Sequence, residues 1–277
     1  MRDLSRPMDP SKNTGHGPLR GRFLVRLSPR VIFGFHPLFL VLVFLLGCNR
    51  TREEGRELSL QADSTESPTL SYLALGDSYT IGEGVDSTGR WPVRLAEDLR
   101  KEGMPLEDPA IVARTGWTTD ELAAGIDSTN LHPPYDLVSL LIGVNNQYRG
   151  RGVDEFRREF RDLLSRAVGF AGGDSGRVLV LSIPDWGVTP FAEDREREEV
   201  GRAIDAFNEV VRDETRKVGA RFVDVTGVSR RLEGNPEAVT TDGLHPSESQ
   251  YARWVDLALP VVRAMFGPGE GEGRPRG

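Results

Sequence analysis

Five short apolar runs alternate with longer segments of helical periodicity between residues 70 and 266, and this alternation restricts the fold to few architectures. A short apolar run bounded by turn residues is typical of a strand that is buried on both faces. Strands that alternate with amphipathic helices favour parallel pairing, with helices covering both sides of the sheet. We therefore predict an α/β fold, a three-layer α/β/α sandwich on a five-stranded parallel sheet. The predicted strands are Tyr72–Leu75, Ala110–Ala113, Asp136–Ile142, Val178–Ile183 and Phe222–Val225.

The predicted helices connect these strands and end the domain. Their apolar residues recur at the spacing of one helix face, and the second of them follows a threonine that can cap it. The helices are Trp91–Glu102, a short helix that begins at Thr118 or Thr119, Val153–Phe170, about Asp194–Val218 and Ser247–Phe266.

The formal charge of −7 is unevenly distributed along the 277 residues. The first 30 residues contain seven Lys or Arg and two Asp, a net of +5, so the remainder carries −12. A nucleic-acid-binding protein needs a basic face, and an acidic body does not provide one. We therefore expect the chain to bind no nucleic acid.

An apolar segment, 31–46, follows the basic N-terminal residues and ends beside the single cysteine, Cys48. It is short for a membrane span and is interrupted by Pro37, and its order of basic, apolar and small residues is typical of a secretory signal. The sequence Leu45-Leu46-Gly47-Cys48 resembles the bacterial lipobox, in which the cysteine becomes the lipidated first residue of the mature protein. An ordinary signal peptide and an uncleaved anchor are the alternatives.

The domain prediction follows from this segment and from the composition on either side of the sandwich. Residues 1–47 are predicted to be a lipoprotein signal peptide and residues 48–69 a polar, flexible tether. Residues 70–267 form the predicted globular domain, and the Gly- and Pro-rich residues 268–277 a disordered tail. The lipid on Cys48 would bind the protein to the membrane of the bacterial cell envelope, at the outer membrane or the periplasmic face.

Gly76-Asp77-Ser78 directly follows the first predicted strand. Open parallel sheets place their ligands at the carboxyl ends of strands, so Ser78 is a candidate nucleophile. A serine hydroxyl needs a neighbouring base to remove its proton, and the usual base is histidine.

Of the four histidines, His16 and His36 lie in the signal region, and His132 has no acidic residue before Asp136. We read His132 as structural or exposed.

His245 is the remaining candidate, and Asp242 precedes it by three residues. A carboxylate at this spacing can accept from the Nδ1–H and leave Nε2 free to act as a base. A loop histidine beside a turn-forming Asp-Gly is the alternative.

Donors for a developing oxyanion follow two other predicted strands. Gly116, with an open backbone N–H, follows the second strand, and Asn145, with a side-chain amide, follows the third. A turn glycine and a helix-capping asparagine are the alternatives. Because parallel strands bring their carboxyl ends to one edge, we expect these groups to lie near Ser78.

Four motifs in this order and spacing resemble the SGNH hydrolases, also called the GDSL esterase/lipase family. They are Gly76-Asp77-Ser78, Gly116, Gly143-x-Asn145 and Asp242-x-x-His245-Pro246. The resemblance implies a flavodoxin-like sandwich, Ser78 as the nucleophile, His245 as the general base and Asp242 as the acid that orients it. It also implies an oxyanion hole formed by the N–H groups of Ser78 and Gly116 and the amide of Asn145.

Two residues depart from the family pattern. Tyr79 replaces the Leu of the family name, and Asn146 stands where many members have Asp. Asn146 removes a negative charge near the expected site, but Asn145 is intact.

The expected chemistry needs no metal or other cofactor, and the few His and Cys residues would make a poor metal site.

We expect a serine esterase that hydrolyses small-molecule or glycan carboxylic esters through a Ser-His-Asp triad and an acyl-enzyme. The sequence contains no large apolar lid, which favours small acyl groups. Trp186 and Phe191, near the end of the fourth predicted strand, could line an acyl or sugar pocket or serve packing alone. A polysaccharide or peptidoglycan O-deacetylase competes with a lysophospholipase or thioesterase. A non-catalytic, carbohydrate-binding surface module is the alternative from another class.

Overall fold

A five-stranded, wholly parallel sheet lies at the centre of the protein in the computed structural model, which describes residues 69–267. The spatial order of the strands is β2-β1-β3-β4-β5, which is the flavodoxin-like order. The predicted α/β/α fold class is therefore confirmed. The strands are β1 (Tyr72–Gly76), β2 (Ala110–Ala113), β3 (Leu137–Leu141), β4 (Val178–Leu181) and β5 (Arg221–Val223).

Helices cover the sheet in two layers. In the first layer α2 packs against α8, and in the second α5 packs against both α3 and α6. The α-helices of residues 69–267 are α1 (Ser78–Ile81), α2 (Trp91–Lys101), α3 (Thr119–Asp127), α4 (Val144–Tyr148), α5 (Val153–Phe170), α6 (Arg197–Val218), α7 (Thr226–Arg231) and α8 (Glu248–Met265).

Burial follows the position of each strand in the sheet. Every residue of β1, β3 and β4 is buried, whereas the edge strands β2 and β5 each keep exposed positions. Central strands of a parallel sheet are covered on both faces, which explains why their sequences are apolar without alternation. The inner face of α5 contributes the buried residues Phe156, Phe160, Leu163, Leu164 and Ala167.

The predicted long elements agree with the structure except at their ends. The bounds of β2 and α5 are as predicted, while the later strands are shorter and α6 begins at Arg197 instead of Asp194. Three short helices, α1, α4 and α7, were not predicted. Each begins two or three residues after a strand end, where four to six residues are too few to show helical periodicity.

The register of the first three strands aligns their carboxyl ends. Gly76, the last residue of β1, pairs with Ala113 of β2 on one side and with Leu141 of β3 on the other. The chain passes from β1 to β2 and then crosses to β3 on the opposite side of β1. Such a reversal of strand order opens a crevice outside the carboxyl ends, where open α/β sheets bind ligands.

The predicted signal peptide 1–47, the tether as far as residue 68, Cys48 and the tail 268–277 lie outside the described residues. Within residues 69–267, no helix has both the length and the apolar character needed to cross a membrane.

Candidate active site

Ser78 is the first residue of α1 and lies at the carboxyl end of β1. Its carbonyl accepts backbone hydrogen bonds from Gly82 and Glu83, each 3.0 Å long, which closes a single helical turn behind it. The residue is only 4% exposed. The sharp turn from strand to helix therefore holds the serine at the edge of the sheet.

Asp77 caps this helix from a fully buried position. Its Oδ1 accepts a 3.0 Å hydrogen bond from the Tyr79 N–H, and Oδ2 has no partner among the described residues. Burial raises the pKa of the Asp77 carboxyl to about 7, although the hydrogen bond from Tyr79 opposes the shift. The folded protein therefore favours the neutral form of this carboxyl.

His245 and Asp242 form a closed hydrogen-bonded loop before α8. His245 Nδ1 lies 2.6 Å from Asp242 Oδ2, and Asp242 Oδ1 accepts from the backbone N–H groups of Leu244 (2.8 Å) and His245 (3.0 Å) and from the Thr240 hydroxyl (2.8 Å). Partial burial raises the pKa of Asp242, but the hydrogen bonds, led by that from His245, outweigh it and lower the pKa to about 2. Asp242 is therefore an ionised acceptor near neutral pH.

Two contacts bring the His245 loop against the Ser78 segment. The Tyr79 ring meets the His245 imidazole edge-on, with 5.8 Å between centroids. Gly84 has φ +80°, and a Cβ there would lie 2.9 Å from Thr240 side-chain atoms, so only glycine permits this approach. The Ser78 hydroxyl and His245 form no direct hydrogen bond in this structure; in unliganded enzymes that bond is often long until substrate binds.

Asn145 and the Gly116 loop are joined by a hydrogen bond. Asn145 is the second residue of α4, and its Nδ2 donates to the Trp117 carbonyl over 2.9 Å. Gly116 lies in the left-handed region with φ +84°, one residue before Trp117. The two predicted donors therefore belong to one connected structure at the ends of β2 and β3.

Asn146 is fully buried and belongs to the packing of α3 and α5. Its Oδ1 accepts from the Thr119 N–H (3.1 Å), while its Nδ2 donates to Thr119 Oγ1 (2.6 Å) and Glu159 Oε2 (3.4 Å). These hydrogen bonds give Asn146 a structural role between α3 and α5. An amide suits the position because it both donates and accepts.

Three aromatic residues form a cluster beside these groups, which we call the aromatic cluster: Tyr148, Trp186 and Phe191. The Trp186 ring is buried and meets the other two edge-on, at centroid distances of 5.4 and 6.1 Å. Tyr148 and Phe191 are 48% and 46% exposed. Tyr148 lies three residues after Asn145 on α4, and the Phe191 N–H donates to the Gly243 carbonyl over 3.0 Å.

This cluster connects the Asn145 helix to the His245 loop. Tyr148 was not singled out from the sequence. Its position on the Asn145 helix could be inferred only once α4 was known, because residues three apart share a helix face.

The remaining described histidine, His132, is exposed and lies within 3.3 Å of the Asn130 amide. Its backbone N–H donates to the Tyr135 hydroxyl. These contacts agree with the expected structural role. Among residues 69–267, no group of three or more His, Cys, Asp or Glu side chains is arranged to hold a metal ion.

Ser78, Gly116, Asn145, Asp242 and His245 all fall within residues 74–253, which match the GDSL-like Lipase/Acylhydrolase family. The chain belongs to this family. The GDSL hydrolase match spans more than half of the 277 residues. No curated protein matches the sequence.

Solved structures share the fold of this GDSL hydrolase at low sequence identity. TesA is 19% identical, with a TM-score of 0.57 over 70% of this chain and 99% of its own. The esterase EstA from Pseudoalteromonas sp. is 15% identical, with a TM-score of 0.55 over 71% of this chain and 98% of its own. The acetylxylan esterase Axe2 from Geobacillus stearothermophilus is 19% identical, with a TM-score of 0.54 over 74% of this chain and 97% of its own.

The raised pKa of Asp77 predicts a pH-dependent cost to stability. The unfolded chain loses the Asp77 proton near pH 4 and the folded protein near pH 7, so between these values the folded state binds more protons and stability falls as pH rises. Asp77→Asn keeps a capping oxygen and cannot ionise. We expect its free energy of unfolding, relative to the wild type, to rise between pH 5 and 7 by at most about 1.4 kcal/mol per pH unit and then to level off.

Urea unfolding at pH 5, 6, 7 and 8 measures this difference. Asp256→Asn, which removes an exposed carboxylate from α8, controls for the loss of a negative charge in general. A difference between Asp77→Asn and the wild type that is constant over this range would contradict the prediction.

Proposed function

We propose that the protein is a serine esterase that hydrolyses carboxylic esters with Ser78, His245 and Asp242. The observation that carries the proposal is the 2.6 Å contact between His245 and Asp242, in a loop packed against the segment that begins with Ser78. Membership of an acylhydrolase family supports the same reaction class.

The proposed reaction proceeds in two acyl-transfer steps. His245 Nε2 removes the hydroxyl proton as Ser78 Oγ attacks the ester carbonyl, and the resulting tetrahedral oxyanion collapses to an acyl-enzyme. The imidazolium then gives its proton to the departing alcohol oxygen. Water, deprotonated by His245, then attacks the acyl-enzyme carbonyl. The second tetrahedral intermediate breaks its bond to Ser78 Oγ, which takes the proton from His245, and the acid and the free serine are released.

Asp242 would keep His245 ready for both steps. Its lowered pKa, about 2, leaves the carboxylate charged, and a charged carboxylate accepts from Nδ1–H and stabilises the imidazolium. The three further hydrogen bonds to Asp242 Oδ1 hold this carboxylate in place. The imidazole therefore presents Nε2, not Nδ1, to the serine.

The proposed oxyanion hole consists of the Ser78 and Gly116 N–H groups and the Asn145 side-chain amide. All three follow the aligned ends of β1, β2 and β3. The Asn145 amide has two hydrogens; one is bonded to the Trp117 carbonyl, and the other is available to the oxyanion. Fixed donors of this kind stabilise charge where it develops in the transition state.

A glycan ester is the substrate class that we favour, with small acyl groups such as acetyl. The aromatic cluster supports this choice because Tyr148 and Phe191 are each about half exposed beside the Asn145 helix and the His245 loop. Open rings can cover the apolar face of a sugar while its hydroxyls stay in water, whereas a long acyl chain needs enclosed apolar surface. Axe2, an acetylxylan esterase, has the same fold.

Hydrolysis of 4-nitrophenyl acetate and labelling by a fluorophosphonate probe test the nucleophile. We expect the wild type to hydrolyse the ester and to be labelled at Ser78, and Ser78→Ala to lose both properties, because the alanine has no oxygen to attack the substrate. Equal rates for the two proteins would refute the assignment. A folded wild type that is neither active nor labelled would instead indicate the non-catalytic binding module.

Asn145→Ala removes one oxyanion donor. We expect kcat to fall on the order of 10²–10³-fold with little change in KM, because the donor acts mainly in the transition state. Steady-state kinetics measures the effect, and thermal unfolding checks that the variant remains folded. A folded variant with wild-type kcat would exclude Asn145 from the oxyanion hole.

Tyr148→Ala and Phe191→Ala test the glycan assignment through a ratio of activities. The ratio compares kcat/KM for methyl 6-O-acetyl-β-D-glucopyranoside with that for ethyl acetate, an acetate without a ring. We expect each variant to lower this ratio about 3- to 10-fold, since a lost ring contact is worth about 1 kcal/mol.

Leu257→Ala, which removes an exposed apolar side chain (39% exposed) from α8, should leave the ratio unchanged. A fall in the ratio of ethyl octanoate to ethyl acetate, with the sugar ratio unaffected, would assign the aromatic cluster to acyl chains instead.

A further inference from the structure

Arg149, the residue after α4, reaches across to the loop that carries Gly116. Its Nη2 donates to the Gly116 carbonyl over 2.7 Å, and its Nη1 donates to Glu121 Oε2 over 3.2 Å. The first of these contacts is a charge-assisted hydrogen bond to the backbone of the residue whose N–H is proposed to bind the oxyanion. The interactions of Arg149 therefore differ from those of an ordinary surface ion pair, because one of them holds a backbone carbonyl.

Gly116 is the third residue of a turn that the Trp117 N–H closes by donating to the Arg114 carbonyl over 3.2 Å, and Arg149 is the side chain that holds the Gly116 carbonyl itself. The Gly116 φ of +84° is accessible to glycine without strain, but glycine also populates negative φ values with similar ease. A rotation about this residue would change the angle between its N–H and its carbonyl. A group that fixes the carbonyl therefore restricts where the N–H points.

The neighbouring residues of this loop also form hydrogen bonds with side chains from other segments or from α3. The Thr115 hydroxyl donates to Glu83, which follows the Ser78 helix, and the Trp117 carbonyl accepts from Asn145. The Thr118 N–H donates to Glu121 Oε2 over 2.9 Å, and this same oxygen accepts from Arg149. With the Arg149 contact, each residue from 115 to 118 is hydrogen-bonded to another residue's side chain, Thr115 through its hydroxyl and the other three through the backbone.

Glu121 fixes the guanidinium in turn. The Thr118 N–H, and to a smaller extent Arg149, hold the pKa of the Glu121 carboxyl below its usual range, so it remains charged at neutral pH. The carboxylate also forms the capping box that begins α3. Arg149 is therefore placed between a fixed anion and the Gly116 carbonyl, and its fork of N–H donors matches both.

We propose that Arg149 is a positioning residue of the oxyanion hole, which orients the Gly116 N–H by holding the carbonyl of the same residue. The proposal rests on the esterase function proposed above. It adds a residue that touches neither the substrate nor the triad and acts through the backbone of the loop.

Arg151 provides a matched control two residues further along the chain. It also reaches α3 and binds Asp120 through two contacts, of 2.8 and 3.3 Å, but it makes no hydrogen bond to the Gly116 loop. The pair is partly exposed, and ion pairs at a protein surface contribute about 0–1 kcal/mol to stability. Arg151→Ala therefore measures the loss of an arginine that pairs with α3 but makes no contact with the Gly116 carbonyl.

The experiment compares Arg149→Ala, Arg149→Lys and Arg151→Ala in the full chain, with 4-nitrophenyl acetate as substrate. We expect Arg149→Ala to lower kcat about 10- to 100-fold with KM within about twofold, since misplacing a donor weakens transition-state binding. Arg149→Lys should recover only part of the loss because an ammonium cannot reproduce the two-pronged contact. Arg151→Ala should keep wild-type kcat.

An inhibitor pair separates positioning from a general structural effect. A trifluoromethyl ketone forms a tetrahedral adduct with an active serine and places an oxyanion in the hole, whereas the parent methyl ketone serves as a ground-state ligand. Arg149→Ala should weaken the trifluoromethyl ketone by the same factor as kcat/KM and leave the methyl ketone within about twofold, because only the adduct carries the oxyanion charge. Thermal unfolding of all variants completes the comparison.

Three outcomes would overturn the proposal. They are a kcat for Arg149→Ala equal to that of Arg151→Ala, an increase in KM alone, or full recovery of kcat by Arg149→Lys. If Arg149→Ala unfolds, Arg149→Lys decides: a folded Lys variant with wild-type affinity for the trifluoromethyl ketone refutes the positioning role. Failure of the esterase proposal looks different, since the wild type would then be inactive or Ser78→Ala would be active.

Discussion

The parallel pairing of β2, β1 and β3 is the constraint on which the site depends. Because Gly76 pairs with both Ala113 and Leu141, the three strands end at the same level of the sheet. Ser78, Gly116 and Asn145 lie only two to four residues after these strand ends, so they remain close to one another. A shift of one residue in either pairing would move Gly116 or Asn145 by about 3.3 Å relative to Ser78, which exceeds what a hydrogen bond tolerates.

The α4 helix converts this alignment into a defined geometry. Five residues long, it begins after β3, and Asn145 and Asn146 within it and Arg149 directly after it contact the chain from Gly116 to Thr119. A helix this short has little intrinsic stability in water, so its conformation depends on these contacts as much as they depend on it. The segments that follow β2 and β3 therefore form one hydrogen-bonded unit, and the Ser78 turn and the His245 loop lie beside it.

The sequence was sufficient for the sheet and the long helices because their apolar residues repeat with a clear period. The α5 helix, with Phe156 and Phe160 on one face, has the bounds that its pattern predicts. The sequence was insufficient for α1, α4 and α7, which are too short to show a helical period. Asp77 caps α1 locally, but the setting of α4 depends on Trp117 and Thr119, and no pattern within residues 144–148 reveals those partners.

His245 was identified because the sequence has only four histidines, and Ser78, Gly116 and Asn145 because each follows the end of a predicted strand. Arg149 lacks such a signal. An arginine after a short polar segment is common, and nothing in its neighbourhood indicates a carbonyl 33 residues earlier. The contact between the Asp242 and His245 side chains could be inferred from their spacing in the sequence, whereas the close approach of Thr240 to Gly84 could not.

The contact between Asn146 and Glu159 has a consequence for the evolution of such proteins. The Asn146 amide donates to the partly buried Glu159 carboxylate over 3.4 Å, and an aspartate at residue 146 would set two carboxylates against each other, one of them fully buried. Their repulsion would raise the pKa of one carboxyl or move the two groups apart. We therefore expect these positions to covary among homologues, with an acidic residue at only one of the two in any given sequence.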